Sequence, residues 1–174
     1  MVKIGKTSAS GAVYYLAAHS DTRNAESTWA FTQVNSSGDD DEYWNIRPWK
    51  QDGKTCYKIE KAIKSDVGRV LTAHKDMRSD SGNSRVLVRT AGHYVRDECW
   101  QFEETEENSY KIIKRLNRSK GMWLVANVER KSGSFWADVS SSDTDSSWEL
   151  SNEDLLMPTT TGSGTAHLKT FTVL

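Results

Sequence analysis

Cysteine is scarce in this chain, with only Cys56 and Cys99 among 174 residues. One bridge is arithmetically open to that pair, but a disulfide framework is not. The sequence holds no Cys-x-x-Cys and only four scattered histidines, which argues against a structural zinc site. Net charge is also lacking, because 23 Lys and Arg stand against 24 Asp and Glu. No overall basic field is therefore available to hold nucleic acid or an anionic membrane. No apolar run reaches membrane length, so membrane insertion is not expected. Met1-Val2-Lys3-Ile4-Gly5-Lys6 carries neither an apolar stretch nor a cleavage signal. The expected location is the cytoplasm, or outside the cell by a route that needs no signal peptide. Gly-x-Ser-x-Gly, a phosphate loop and His-Glu-x-x-His are all missing. A binding protein without cofactor or catalytic metal is expected rather than an enzyme.

What the chain does contain is 36% apolar residues and 10% aromatics, seven of them tryptophan, enough for the core of one domain. Short apolar phrases recur at long spacing. Val2-Lys3-Ile4, Tyr57-Lys58-Ile59 and Tyr110-Lys111-Ile112 are separated by steps of 55 and 53 residues. A glycine and a leucine follow in each copy: Gly11 to Leu16, Gly68 to Leu71, Gly121 to Leu124. Next come Ser27-Thr28-Trp29-Ala30-Phe31, Ser84-Arg85-Val86-Leu87-Val88 and Ser134-Phe135-Trp136-Ala137-Asp138. Each unit closes on a tryptophan, in Trp44-Asn45-Ile46, Trp100-Gln101-Phe102 and Trp148-Glu149-Leu150.

These phrases alternate apolar and polar residues, the period of a half-buried strand, and Gly, Ser, Asn and Asp clusters separate them. Three units of four strands predict an all-β chain folded as a β-trefoil, in which strands of all three repeats share a barrel and three hairpins cap it. The predicted domain spans 1–152, with repeats at about 1–53, 54–108 and 109–152. Ile4, Ile59, Ile112, Leu16, Leu71, Leu124, Trp44, Trp100 and Trp148 are expected to share one core. Residues 153–174 read as a Thr/Gly/Ser linker followed by an extra C-terminal strand, whose segment 166–174 is a candidate homodimer contact. Cys56 and Cys99 each precede an aromatic residue expected to face inward. Alternation would turn both outward, at opposite ends of the barrel, as free thiols.

The order of first strand, Gly-x-x-Leu strand, third strand and closing x-x-Trp-x-apolar resembles the ricin-B-type β-trefoil lectins over residues 2–152. The family's Gln-x-Trp is replaced here by Glu42-Tyr43-Trp44, Glu98-Cys99-Trp100 and Ser146-Ser147-Trp148. Ala17, Thr72 and Val125 stand where the family has an Asp after the leucine, so that sugar carboxylate does not carry over. The resemblance implies a lectin for galactose-type or N-acetylgalactosamine-type glycans, on glycoprotein or glycolipid. Two other classes use such a fold, protease inhibitors and cytoplasmic actin-bundling or scaffold trefoils.

Candidate chemistry follows the second phrase. Leu16 to Arg23 and Leu71 to Arg78 share the pattern Leu-x-Ala-His-x-Asp-x-Arg, which gives His19, Asp21, Arg23 and His74, Asp76, Arg78. In a continuous strand each trio lies on one face. A carboxylate there accepts from two adjacent sugar hydroxyls while imidazole and guanidinium donate. The third copy, around Asn127, is looser. Asp41, Asp97 and Asp145 stand three residues before each closing tryptophan, and the resemblance places a sugar-site Asn there. Tyr94 and Trp136 are candidate stacking rings, and Trp49 falls in loop-like sequence with an exposed ring expected. Each feature also has a plainer reading: a solvated hairpin of paired charges, turn-fixing aspartates, and core aromatics. A His-x-Asp pair suits a metal as well, but no third ligand stands near it.

Overall fold

In a computed structural model, the structure describes residues 1–23, 27–34, 40–62, 68–78, 83–92, 95–114, 122–131, 134–144 and 146–152. Among the described residues twelve strands follow one another: β1 Val2–Thr7, β2 Val13–Arg23, β3 Ser27–Val34, β4 Tyr43–Gln51, β5 Lys54–Lys61, β6 Arg69–Arg78, β7 Ser84–Thr90, β8 Trp100–Glu106, β9 Ser109–Lys114, β10 Met122–Lys131, β11 Ser134–Ser140 and β12 Ser147–Asn152. Among the described residues, the short 3₁₀ turns Asp40–Glu42 and Val95–Glu98 lead into β4 and toward β8.

The pairings have a threefold logic. β1, β4, β5, β8, β9 and β12 pair each with the next in a closed ring, and β12 returns to β1. The remaining strands form hairpins, β2–β3, β6–β7 and β10–β11. Their second strands β3, β7 and β11 pair mutually, which ties the hairpins together over the ring. The first and last strands of each unit meet in one register: Val2 opposite Trp44, Tyr57 opposite Trp100, Tyr110 opposite Trp148. Consecutive units join through tight turns. Asp52 and Gly53 both adopt positive φ, 49° and 74°, between β4 and β5, the geometry an Asp-Gly hairpin turn requires. The arrangement is all-β with a threefold β-trefoil layout, as the repeats predict.

All nine expected core residues are fully buried, in one cluster. The tryptophans do more than fill it. Indole Nε1 of Trp44 donates to the carbonyl of Leu16, that of Trp100 to Leu71, and that of Trp148 to Leu124, each at 2.8 Å. A buried indole N–H without an acceptor would cost about 1–3 kcal/mol. Here it is satisfied by the leucine that opens the hairpin of the same unit, so one residue type both fills the barrel and fixes the cap to it.

The cysteines depart from expectation. Cys56 and Cys99 form a disulfide, their Cα atoms 5.4 Å apart. Cys56 does lie on the side of β5 opposite the core-facing Ile59. The error lay in the strand order, because β5 and β8 are direct neighbours with Tyr57 opposite Trp100, and the two cysteines flank that pair. Tyr57 is only half-buried and packs edge-on against Phe102, 5.5 Å between ring centres, rather than entering the core. Trp49 is likewise not in a loop but within β4, although the residue is 40% exposed, in line with the expectation of exposure. The tail, 153–174, with its proposed strand, lies outside the described residues.

Two outcomes follow from this packing. Trp100→Ala removes both a core ring and its hydrogen bond and should destabilise by about 3–5 kcal/mol in denaturant titration. Thiol titration of native and unfolded protein should find no free thiol before reduction. The bridge closes a span of 43 residues, so Cys56→Ser with Cys99→Ser should lower stability by roughly 4 kcal/mol on loop-entropy grounds. Two reactive thiols in the unreduced protein would contradict the assignment.

Candidate functional site

The polar rows sit where the hairpins lose regular register. In unit 1, Ala18 pairs with Ala30 and the next pair is Arg23 with Thr28. Residues 19–22 are thus set against Trp29 alone. Unit 2 repeats this: Ala73 pairs with Val86, then Arg78 with Ser84, so residues 74–77 are set against Arg85 alone. Unit 3 is different. Asn127 pairs with Trp136, Glu129 with Phe135 and Lys131 with Ser134, two single-residue bulges in place of one long excursion. Such irregularities re-aim the chain and are common beside binding sites. The backbone therefore separates units 1 and 2 from unit 3 as the Leu-x-Ala-His-x-Asp-x-Arg pattern does. It also interrupts the strict alternation that would set His, Asp and Arg on one face. The side chains of His19, Asp21, Arg23, His74, Asp76, Arg78 and Asn127 lie outside what the structure describes, as do Tyr94 and Asp145 entirely.

Ala17, Thr72 and Val125 are buried, at 0%, 2% and 6% exposure. A carboxylate following the leucine would point into packed protein, so the chain has no use for one there. Trp136 is half-buried, and the guanidinium of Arg85 lies 4.7 Å from its ring centre. Arg85 in turn pairs with the fully buried Asp138 at 3.1 Å, directly across β7 and β11. One face of the Trp136 ring is thereby committed to a cation.

Asp41 and Asp97 fall instead beside a set of residues that the sequence reading missed, the lysines of the first phrases. Lys3, Lys58 and Lys111 occupy the middle of Val-Lys-Ile and Tyr-Lys-Ile. Lys3 meets Glu42 at 3.3 Å and Lys58 meets Glu98 at 2.9 Å, both glutamates essentially buried. Glu98 also accepts from the backbone N–H of Gly92 at 2.6 Å. These glutamates are the first residues of Glu-x-Trp, so the departure from Gln-x-Trp has a local cause: each carboxylate neutralises a lysine of its own unit. Unit 3 has Ser146 at that place, and Lys111 reaches outward to Asp143 at 2.9 Å. That hydrogen bond holds the Asp143 carboxyl below its usual range.

Three further residues on, Lys6, Lys61 and Lys114 are buried at 7%, 1% and 0% exposure. Each lies over the closing tryptophan of the preceding unit, Lys6 over Trp148 at 5.5 Å, Lys61 over Trp44 at 5.2 Å, Lys114 over Trp100 at 6.0 Å. Electrostatic attraction to the ring face compensates part of the lost hydration. Asp41 supplies Lys61 with a carboxylate at 3.4 Å, and Asp97 and Glu98 attract Lys114. The repeated aspartate thus acts as a counterion to a buried lysine of the next unit in both described copies. The spacing carried this signal, a lysine at the second and fifth places of every first phrase.

Burial dominates at Lys114 and lowers its pKa to about 8 despite those two carboxylates. The unfolded chain keeps this proton to about pH 10.5. Between the two values the unfolded state holds more protons, so folding stability contributed by this group rises with pH across that window. Denaturant titrations at about pH 7 and about pH 9.5 should show wild type gaining on the order of 2 kcal/mol relative to Lys114→Met. Equal pH dependence in both proteins would remove Lys114 as the cause.

Among the described residues no group of three or more His, Cys, Asp or Glu could hold a metal ion, and no helix is long and apolar enough to cross a membrane. No family model and no curated protein sequence matches the chain. Solved structures do match. A designed 3-fold symmetric protein, ThreeFoil, aligns with a TM-score of 0.61 and 18% identity over 87% of this chain and 98% of its own. At that identity the likeness concerns the fold, and it agrees with the threefold pairing described above.

Proposed function

We propose that the chain is a carbohydrate-binding lectin. Units 1 and 2 would bind galactose-type or N-acetylgalactosamine-type glycans through His19, Asp21, Arg23 and His74, Asp76, Arg78, with a reduced site near Asn127 in unit 3. One observation carries this reading: the same polar pattern coincides, in the same two units, with the same long excursion against a single cross-strand residue. Core constraints do not call for that coincidence, since Leu16, Leu71 and Leu124 are equally buried in all three units. In each row the aspartate accepts from paired sugar hydroxyls and the histidine and arginine donate. Each site alone binds weakly, and two sites on one particle supply avidity toward multivalent glycans. The disulfide supports an oxidising compartment over a reducing one as the place of work.

The test is a glycan array followed by titration of the bound sugar. Asp21→Asn and Asp76→Asn should each weaken their own site by roughly 1.5–3 kcal/mol through loss of a charge-assisted acceptor. The double variant should lose agglutination, and a change at Glu129 should matter less. Unaltered glycan binding by the double variant would favour the protease-inhibitor or scaffold reading.

A further inference from the structure

The ring of strands carries built-in controls, because any surface feature dictated by the fold should recur at threefold-related places. One does not. On the outer side of the β4–β5 hairpin, Arg47 and Trp49 alternate along β4 and face Lys58 and Cys56 across the ladder, while Lys54 follows opposite Gln51. The corresponding places on the β8–β9 hairpin, counted from Trp100 and Tyr110, are Glu103, Thr105 and Glu107. Both hairpins are exposed there. The first presents an aromatic ring between two cations, and the second presents two carboxylates and no ring.

Trp49 is also held in place. The ammonium of Lys58 lies 4.0 Å from its ring centre, and that ammonium is fixed by Glu98, whose side chain is 1% exposed. The ring therefore rests on a buried ion pair with one face occupied, while the residue keeps 40% exposure to solvent. Arg47, two residues before Trp49 on the same face of β4, is 66% exposed in its side chain and sets its Nε 3.1 Å from Glu60. Lys54, exposed, pairs with Gln51, the next residue after Trp49 on that face of β4.

We infer that the outer face of the β4–β5 hairpin is an additional saccharide site selective for acidic sugars, with Trp49 stacking under a sugar ring and Arg47 and Lys54 taking a carboxylate or sulfate on its neighbours. An apolar sugar face stacks on a fixed indole, and a planar guanidinium matches the oxyanion geometry of either group. The site is separate from the polar rows and stands or falls independently of them.

Titration by NMR, following the indole N–H of Trp49, distinguishes the outcomes. The probes are a hyaluronan tetrasaccharide, which carries carboxylates alone, a chondroitin sulfate tetrasaccharide, which adds sulfate, and neutral chitotetraose. Wild type should bind at least one acidic probe tenfold or more tightly than chitotetraose, and the tighter of the two identifies the preferred anion. Trp49→Ala should lose at least tenfold for that probe, and Arg47→Glu with Lys54→Glu should abolish binding. Asp21→Asn with Asp76→Asn should bind it unchanged. Trp49→Phe, which keeps a ring over Lys58, checks the fold and should retain most of the affinity. Equal affinity for neutral and acidic probes, no binding by wild type, or unaltered binding by Trp49→Ala would each overturn the inference.

Discussion

Everything in this fold hangs on three hydrogen bonds of one kind, from a buried indole to a leucine carbonyl. A tryptophan is the bulkiest apolar group available, but it brings a donor that must find a partner once water is excluded. Supplying the acceptor from the strand that leaves the barrel for the cap couples two things that could otherwise vary separately. The ring cannot keep its core position unless the hairpin starts at the right place, and the hairpin cannot shift without orphaning the donor. The common length of 2.8 Å in three units of unlike sequence shows how tightly this coupling constrains them.

The same rings then set the charge arrangement. A lysine over each indole joins one unit to the next, so each tryptophan is tied both to its own unit and to its neighbour. Burying an ammonium is costly, and the carboxylates placed three and two residues before each tryptophan offset that cost where they occur. Unit 3, with Ser146 in place of glutamate, shows the alternative: its lysine turns outward to a surface aspartate. The near-neutral composition of the chain is thus partly an internal matter, because several of its charges answer one another inside the protein rather than facing a partner.

Period and repetition made the barrel legible from the sequence: the isoleucine, leucine and tryptophan of each unit recur at fixed order and are all in the core. Two things escaped. Lysines at the second and fifth places of the first phrase read as polar residues facing water, since alternation says nothing of a cation sheltered by an aromatic ring. The neighbours of a strand escaped as well. Cys56 and Cys99 each sit beside an aromatic residue, but whether two outward positions meet depends on which strands are adjacent, a property of the closed ring and not of either phrase. The polar rows were legible as a repeated pattern. Their geometry was not, because a four-residue excursion leaves no mark in hydrophobic periodicity.

The pairing of Val2 with Asn152 brings residues 150 positions apart into one rung of the ladder. Each unit meets the next through the same kind of contact whether the backbone is continuous there, as at Asp52-Gly53 and Glu107-Asn108, or not. The ring has no privileged seam. A circular permutant that joins residue 152 to residue 1 through a short linker and opens at Asp52-Gly53 would keep every core contact. Its ends would emerge at the β4–β5 turn, and a fused partner would then be presented from that turn.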